Sequence, residues 1–130
     1  MAHYLDTSAL VKLVVAEAET PALRAWLTEV ERSPLASDLA RTELLRVVRR
    51  SALDRVLEAR AVLDAITLIE LTTAIFEQAG RLDPAILRTL DALHLASALS
   101  LGDDLESMVT YDDRLADAAR ANGIPVTAPA

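Results

Sequence analysis

The sequence predicts an α/β fold in which a short, mostly parallel sheet is covered by helices on both faces. Short runs of apolar or β-branched residues alternate with longer segments whose apolar residues recur at helical spacing, and this alternation is typical of parallel sheets. Apolar residues make up 52% of the chain and aromatic residues only 3%, which indicates a core of Leu, Ala, Val and Ile. The length of 130 residues suits one domain, so we expect a single domain over residues 1–130.

The first half of the chain predicts two short strands and four helices. Thr7 or Ser8 can cap the helix that follows the first strand, and Thr20 with Pro21 can serve as N-cap and first residue of the second. Ser33-Pro34 ends that helix. The predicted strands cover residues 2–5 and 35–37, and the last two helices cover about 38–50 and 53–64.

The second half predicts three further strands separated by three helices. Residues 66–71 are rich in β-branched side chains and indicate a buried strand, and Thr72 or Thr73 can cap the helix after it. Asp83-Pro84 is expected to open a helix that runs to about Leu101. The last predicted elements are a strand at 107–110, a helix at 112–122 closed by Gly123, and an edge strand at 124–126.

Composition excludes several classes of protein. There are no cysteines, which removes disulfides, thiol catalysis and Cys-ligated zinc, and fits a reducing cytoplasm. The N-terminus shows no basic region followed by a long apolar run, so we expect no signal peptide. The uncharged stretch at 92–102 is too short to span a bilayer. We therefore expect a soluble, cytoplasmic protein with no membrane partner.

The net charge of −7 is unusual for a protein that binds nucleic acid, because polyanions select basic surfaces. One interpretation is that the acidic side chains form a solvated surface that keeps the domain soluble. Alternatively, some of them face inward and bind cations, which reverse the local sign of the potential. The positions of the acids along the chain bear on this choice.

Two acids follow predicted strands. Asp6 comes directly after the first strand, and Asp112 follows the strand at 107–110. Parallel sheets bind ligands at the carboxyl ends of their strands, so these two carboxylates could lie over the same edge. The alternative is that each is an ordinary helix N-cap.

Two further acids lie within predicted helices. Asp91 interrupts a nearly all-apolar helix, where a carboxylate is costly unless it is paired or bound to metal, and a buried ion pair with an arginine is the alternative. Glu43 borders the apolar stripe of its helix, and a surface pair with Arg46 would explain it equally. A basic stretch around it suits phosphate contacts or an acidic protein partner, and consists of Arg41, Arg46, Arg49, Arg50 and Arg55.

Four segments together resemble the PIN-domain ribonucleases, particularly the VapC-type toxins of bacterial toxin–antitoxin pairs. They are Leu5-Asp6-Thr7-Ser8-Ala9-Leu10-Val11-Lys12, Arg41-Thr42-Glu43-Leu44, Leu90-Asp91-Ala92-Leu93-His94-Leu95-Ala96, and Val109-Thr110-Tyr111-Asp112 followed by Arg114-Leu115. The segments come in the family's order and cover nearly the whole chain.

The resemblance implies a metal-dependent nuclease in which Asp6, Glu43, Asp91 and Asp112 converge on one pocket. Such hard oxygen ligands suit Mg²⁺ or Mn²⁺. Asp6 and Asp91 are the expected direct ligands, Asp112 completes the site, and Glu43 binds metal or orients the attacking water. Ser8 could orient an acidic side chain. The resemblance also implies single-stranded or looped RNA as substrate, cut to leave a 5′-phosphate, with a homodimer and a VapB-like antitoxin as the assembly.

Five other residues receive weaker predictions. We interpret His94 as an orienting or packing side chain, His3 as incidental to function, and Trp26 as a packing or interface residue. Thr110 is a weak site candidate, and we assign Asp113 to the N-terminus of its helix.

Two rival functions remain open on the sequence. One is another Mg²⁺-dependent phosphoryl-transfer protein, although Lys12 is the only lysine and no Gly-rich phosphate loop is present. The other is a non-catalytic α/β module that binds a protein partner.

Overall fold

The computed structural model describes residues 2–30 and 32–130, which form five strands and seven α-helices. The strands are β1 (Ala2–Leu5), β2 (Ser33–Ser37), β3 (Thr67–Ile69), β4 (Leu105–Val109) and β5 (Val126–Thr127). The helices are α1 (Thr7–Val14), α2 (Thr20–Glu29), α3 (Leu39–Ser51), α4 (Val56–Ala65), α5 (Thr73–Arg81), α6 (Thr89–Leu99) and α7 (Asp113–Ala121). Short 3₁₀ turns at Leu53–Arg55 and Gly102–Asp104 precede α4 and β4. None of the described helices is long and apolar enough to cross a membrane.

The strands form one sheet in the order β3-β2-β1-β4-β5, and every neighbouring pair is parallel. The chain adds β2 and then β3 on one side of β1. It then crosses to the other side of β1 and adds β4 and β5, so the direction of winding reverses between β1 and β4. Leu5 pairs in register with Val109 there. A reversal of this kind opens a crevice at the carboxyl ends of the two strands, where α/β proteins bind ligands.

Each face of the sheet carries its own apolar core. Successive side chains of a strand point to opposite faces, so Tyr4 and Leu5 enter different cores, as do Met108 and Val109. The Leu5 face packs against α1 to α4 through Leu10, Leu23, Leu44, Val48 and Leu63. The Tyr4 face packs against α6 and α7 through Leu95, Ala98, Leu115 and Ala119. The predicted α/β class with helices on both faces is confirmed.

Two elements differ from the sequence prediction. β3 is an edge strand of three partly exposed residues, not a buried strand, because only β2 pairs with it. The helix expected from Asp83-Pro84 begins only at Thr89. Residues 83–88 form the turn between α5 and α6, Arg88 has extended backbone angles, and Ile86 is 90% exposed. An apolar side chain that finds no core to enter does not stabilise a helix across this segment.

The helix ends also refine the prediction. Asp6, not Thr7 or Ser8, caps α1, and Thr20 is the first residue of α2, with Glu19 at the N-cap position. Thr72 caps α5 as expected, since its side chain accepts a hydrogen bond from the backbone of Ile75. Gly123 follows α7 with φ of 78°, a conformation that favours glycine.

Candidate active site

Asp6 lies at the carboxyl end of β1 and begins α1, with only 4% of its surface exposed. Its Oδ1 accepts hydrogen bonds from Ser8 Oγ (2.7 Å) and the Ala9 backbone N–H (3.1 Å), and its Oδ2 accepts one from Thr110 Oγ1 (2.7 Å). Burial raises the pKa of Asp6, and these three hydrogen bonds act against that shift. Asp6 is thus both the N-cap of α1 and a residue at the carboxyl edge of the sheet. Ser8 forms the predicted hydrogen bond to an acidic side chain.

Thr110 ties the ends of β1 and β4 together. It is fully buried just beyond β4, where its hydroxyl donates to Asp6 and accepts a hydrogen bond from the Asp112 backbone N–H (3.1 Å). Thr110 was only a weak candidate on the sequence, yet it bonds two of the four predicted site residues, through the carboxylate of Asp6 and the backbone N–H of Asp112. The sequence feature that could have identified Thr110 is its position between the end of a strand and Asp112, a candidate N-cap.

Asp112 caps α7, as the alternative interpretation proposed. Its Oδ1 accepts hydrogen bonds from the backbone N–H groups of Arg114 (2.9 Å) and Leu115 (3.2 Å). The side chain is exposed, and Oδ2 accepts no hydrogen bond from the residues that the structure describes. Asp113 is the first residue of α7, in line with its prediction.

Asp91 occupies the first turn of α6 and is only partly buried. Within the described ranges its carboxylate accepts no hydrogen bond and belongs to no ion pair, so the alternative of a buried arginine partner is wrong. Burial raises the pKa of Asp91, and the negative charges of Asp112 and Glu43 raise it further, against the influence of His94 and Arg88. A carboxylate held near other carboxylates without a partner is typical of functional sites.

Glu43 projects from α3 toward α6 and is half-buried. Its Oε1 accepts hydrogen bonds from Thr7 Oγ1 (2.8 Å) and His94 Nε2 (2.7 Å). Burial alone would raise the pKa of Glu43, but the hydrogen bond and charge of His94, with the Thr7 hydroxyl, lower it overall. The alternative of a surface pair with Arg46 is wrong, because the Glu43 carboxylate bonds Thr7 and His94 instead.

His94 is the centre of a buried row of polar groups. Its Nδ1 lies 2.7 Å from the Tyr4 hydroxyl, which donates to Ser37 Oγ over 3.1 Å. Tyr4 and Ser37 are fully buried, and His94 is 3% exposed. These contacts and this burial agree with the prediction of an orienting or packing histidine. The roles of Tyr4 and Ser37 and the hydrogen bond from Thr7 were not predicted from the sequence. The feature that could have pointed to them is Tyr4, an aromatic residue with a hydroxyl group within a core strand.

Hydrogen bonds link the four predicted acids at one edge of the sheet. Thr110 bonds the Asp6 carboxylate and the Asp112 backbone, while Thr7 and His94, which follow Asp6 and Asp91 in the chain, both bond Glu43. Over residues 2–30 and 32–130, no three His, Asp or Glu side chains already stand at metal-binding spacing. The donors nevertheless fit a hard divalent cation, because all are carboxylate oxygens and those of Asp91 are uncommitted. Asp112 Oδ1 caps α7, and its Oδ2, which accepts no hydrogen bond from described residues, is the oxygen available to a cation.

His3 and Trp26 lie outside this cluster. His3 is buried, with Nδ1 2.9 Å from Ser107 Oγ and its ring edge-on to Trp26 at a centroid distance of 4.8 Å. The Trp26 ring also stacks on the Arg32 guanidinium. Packing is the observed role of Trp26, and His3 is a core residue that links β1 to β4.

Two grooves flank the carboxylates. One, of about 430 Å³, is lined by Thr7, Glu43, Arg46, Arg50 and Leu90 among others. The second, of about 680 Å³, lies between α6 and α7 and includes Asp91, Arg88 and Arg114. In the basic stretch, Arg41 pairs with Asp38 and Arg55 approaches Glu58, whereas the other three arginines form no ion pair with described residues.

Known proteins match this chain over nearly its full length. The PIN domain family model matches residues 3–121. Two Mycobacterium tuberculosis proteins named ribonuclease VapC47 and ribonuclease VapC46 are 42% and 43% identical to the chain, over 97% and 98% of it and 96% and 98% of their own lengths. Among solved structures, the VapC20 toxin of M. tuberculosis superposes with a TM-score of 0.78 at 18% identity, covering 98% of this chain and 99% of its own. A toxin–antitoxin complex from Klebsiella pneumoniae gives a TM-score of 0.73 at 21% identity, with 98% of each chain covered. This chain belongs to the PIN-domain family.

Proposed function

We propose that this PIN domain is a divalent-metal-dependent endoribonuclease, the toxin component of a type II toxin–antitoxin pair. Asp6, Asp91 and Asp112 would hold Mg²⁺ or Mn²⁺, and Glu43 would complete the site. The observation that carries this proposal is the state of Asp91. Its partly buried carboxylate accepts no hydrogen bond and joins no ion pair among the described residues, and burial and the negative charge of Asp112 both raise its pKa. A divalent cation relieves that repulsion, and carboxylates with water are its usual ligands. The ribonuclease assignment agrees with the relatives named ribonuclease VapC, which match over nearly the full chain.

The protein's own groups divide the chemistry among them. When bound, a divalent ion supplies charge that neutralises the phosphate oxygens and lowers the pKa of a water molecule. Asp6 is held in one orientation by three hydrogen bonds, so it offers a preorganised oxygen. Glu43 keeps Oε1 engaged with Thr7 and His94, which leaves Oε2 to accept a hydrogen bond from the attacking water. The water oxygen attacks phosphorus, the bond to the 3′-oxygen breaks, and the products carry a 5′-phosphate and a 3′-hydroxyl.

The groove beside Glu43 supports RNA as the substrate. Arg46 and Arg50 line it together with Glu43, so cationic groups stand next to the proposed reacting centre. Guanidinium groups without an acidic partner are suited to bidentate contacts with phosphates. The overall negative charge of the chain is therefore compatible with a local basic path for the RNA backbone.

The proposed assembly follows from exposed apolar side chains and from structural neighbours. Leu53, Leu57, Phe76, Ile86 and Leu90 are between 48% and 90% exposed, and such residues commonly mark protein interfaces. Neighbours with the same fold were solved as toxin–antitoxin complexes. We propose a VapB-like antitoxin and a homodimer for this chain as well. We also propose a cytoplasmic location, because a chain without cysteines fits a reducing compartment.

The test compares matched carboxylate variants of the antitoxin-free protein. After treatment with a chelator, the protein is incubated with RNA with and without Mn²⁺, and Mn²⁺ binding is measured by calorimetry. We expect cleavage only with metal, and a loss of about 100-fold or more in Asp6→Asn and Asp91→Asn. Asp64→Asn is the control, because Asp64 is exposed on α4 and lines neither groove. Unchanged cleavage in both site variants would show that a contaminant cuts the RNA. Folded protein that binds no Mn²⁺ would instead favour a non-catalytic binding module.

A further inference from the structure

A row of buried hydrogen bonds connects the central sheet to Glu43. It runs from Ser37 at the end of β2, through Tyr4 on β1 and His94 on α6, to Glu43 on α3. Its bonds measure 3.1, 2.7 and 2.7 Å, and its first three members are almost completely buried. Buried polar groups of this kind are retained only when each is satisfied, and here each one is.

Hydrogen-bond chemistry restricts how the His94 ring can sit. The ionised Glu43 carboxylate can only accept, so Nε2 must carry the hydrogen that it shares with Oε1. The Tyr4 hydroxyl then meets Nδ1 on the other side of the ring and is itself bonded to Ser37. A ring turned by half a rotation would place carbon atoms where both nitrogens now stand. Tyr4, rigid within the central strand, therefore selects one orientation of His94.

Glu43 Oε1 is bonded by two residues that are close in the chain to Asp6 and Asp91. Thr7, which bonds Oε1, directly follows Asp6, and His94 follows Asp91 by one turn of α6. These two bonds hold Glu43 in place relative to both Asp6 and Asp91, although neither of those residues lies on α3.

We propose that Tyr4 and His94 are positioning residues, which hold one oxygen of Glu43 so that the other is presented to the reacting water. This inference rests on the proposed function, because it assumes that Glu43 takes part in RNA hydrolysis. Neither residue is expected to touch RNA. Their loss should therefore lower kcat while KM for RNA stays nearly unchanged.

Two amide replacements of His94 separate positioning from packing. The Gln amide nitrogen reaches approximately the place of Nε2, whereas the shorter Asn reaches only that of Nδ1. We expect His94→Gln to keep most of kcat by retaining the donor to Glu43, and His94→Asn to lose about 10- to 100-fold. His3→Gln and His3→Asn are matched controls, since His3 is also a buried histidine but bonds Ser107 instead. Rates are measured on an RNA oligonucleotide that spans a mapped cleavage site.

Tyr4→Phe keeps the ring and removes only the hydroxyl, so it serves if His94→Asn does not fold. We expect it to lower kcat by about tenfold with an unchanged KM, within the range seen for groups that orient a ligand. Equal kcat in the Gln and Asn variants, or a wild-type kcat in Tyr4→Phe, would overturn the positioning role. In that case cleavage still abolished by Asp91→Asn would leave the proposed function standing, whereas cleavage that survives Asp91→Asn would remove the proposed function itself.

Discussion

Thr110 Oγ1 donates a hydrogen bond of 2.7 Å to Asp6 Oδ2, although the two residues are 104 positions apart in the chain. The contact exists because β1 and β4 are neighbours in the sheet and end at the same level. It satisfies an almost fully buried carboxylate oxygen, and it fixes the orientation of the acid that we propose as a metal ligand.

Removing the Thr110 hydroxyl should weaken both folding and metal binding. Thr110→Val keeps the shape but leaves Asp6 Oδ2 and the Asp112 N–H without a partner, so we expect a loss of about 1–3 kcal/mol in unfolding free energy. The affinity for Mn²⁺ should fall by about 10- to 100-fold, measured by calorimetry. Thr110→Ser, which retains the hydroxyl, should bind Mn²⁺ nearly as the wild type does. Thr127→Val removes a hydroxyl bonded to Ser107 and serves as control; a Thr110→Val protein with the affinity of this control would contradict the prediction.

Neutralising Asp91 should stabilise the metal-free protein while it abolishes cleavage. The pKa of Asp91 is raised by burial and by Asp112, which means that the folded state disfavours the ionised carboxylate. At neutral pH, Asp91→Asn removes that unfavourable charge, so Tm in the presence of a chelator should rise by up to a few degrees. With saturating Mn²⁺ the wild type should have a higher Tm than Asp91→Asn, because only the wild type gains stability from bound metal. Thermal melts with Asp64→Asn as control check this, because Asp64 is exposed on α4 and lines neither groove. A Tm below that of the wild type in chelator would refute the prediction.

His3 should make stability depend on pH in the weakly acidic range. Burial lowers its pKa, with Arg32 acting in the same direction and Glu106 against it. Between the folded pKa and the ordinary value of about 6.5, the unfolded chain binds a proton that the folded chain does not. The stability contributed by neutral His3 is therefore complete above this value and is lost as the pH falls through the interval. Denaturant unfolding of wild type and His3→Gln should show a steeper loss on acidification in the wild type; parallel curves would rule out the effect, because both proteins share the same carboxylates.

The arginines beside Glu43 should govern the affinity for RNA and its salt dependence. Arg46 and Arg50 line the groove that contains Glu43, so replacing either with Gln should raise KM and leave kcat nearly unchanged. Each lost phosphate contact should reduce the slope of log affinity against log salt by about 0.7 for single-stranded RNA. Arg60→Gln is a suitable control, because Arg60 is exposed on α4 and lines neither groove. Slopes that match this control would place the RNA backbone elsewhere.

Much of the architecture was predictable because its signals are local. The alternation of apolar runs and helical periods placed all five strands and seven helices to within a few residues, apart from the start of α6. The failure at Asp83-Pro84 has a physical reason: a proline suits the first turn of a helix, but only packing decides whether that helix forms, and Ile86 points to solvent. The predicted family is confirmed, whereas the assignment of Asp6, Glu43, Asp91 and Asp112 as ligands stays a prediction.

By itself, the sequence determined the fold class, the family and the presence of acids at strand ends and on helices, since these depend on residue type and short-range spacing. Only the tertiary structure decided which partner each acid has. Glu43 has Arg46 three residues away on its own helix but bonds His94, 51 positions on, because α3 turns that face toward α6. Asp6 accepts a hydrogen bond from Thr110 because the sheet places β4 next to β1, and in the same fold the charge of Asp112 acts on Asp91. Contacts between distant residues depend on how elements pack, which no local pattern encodes.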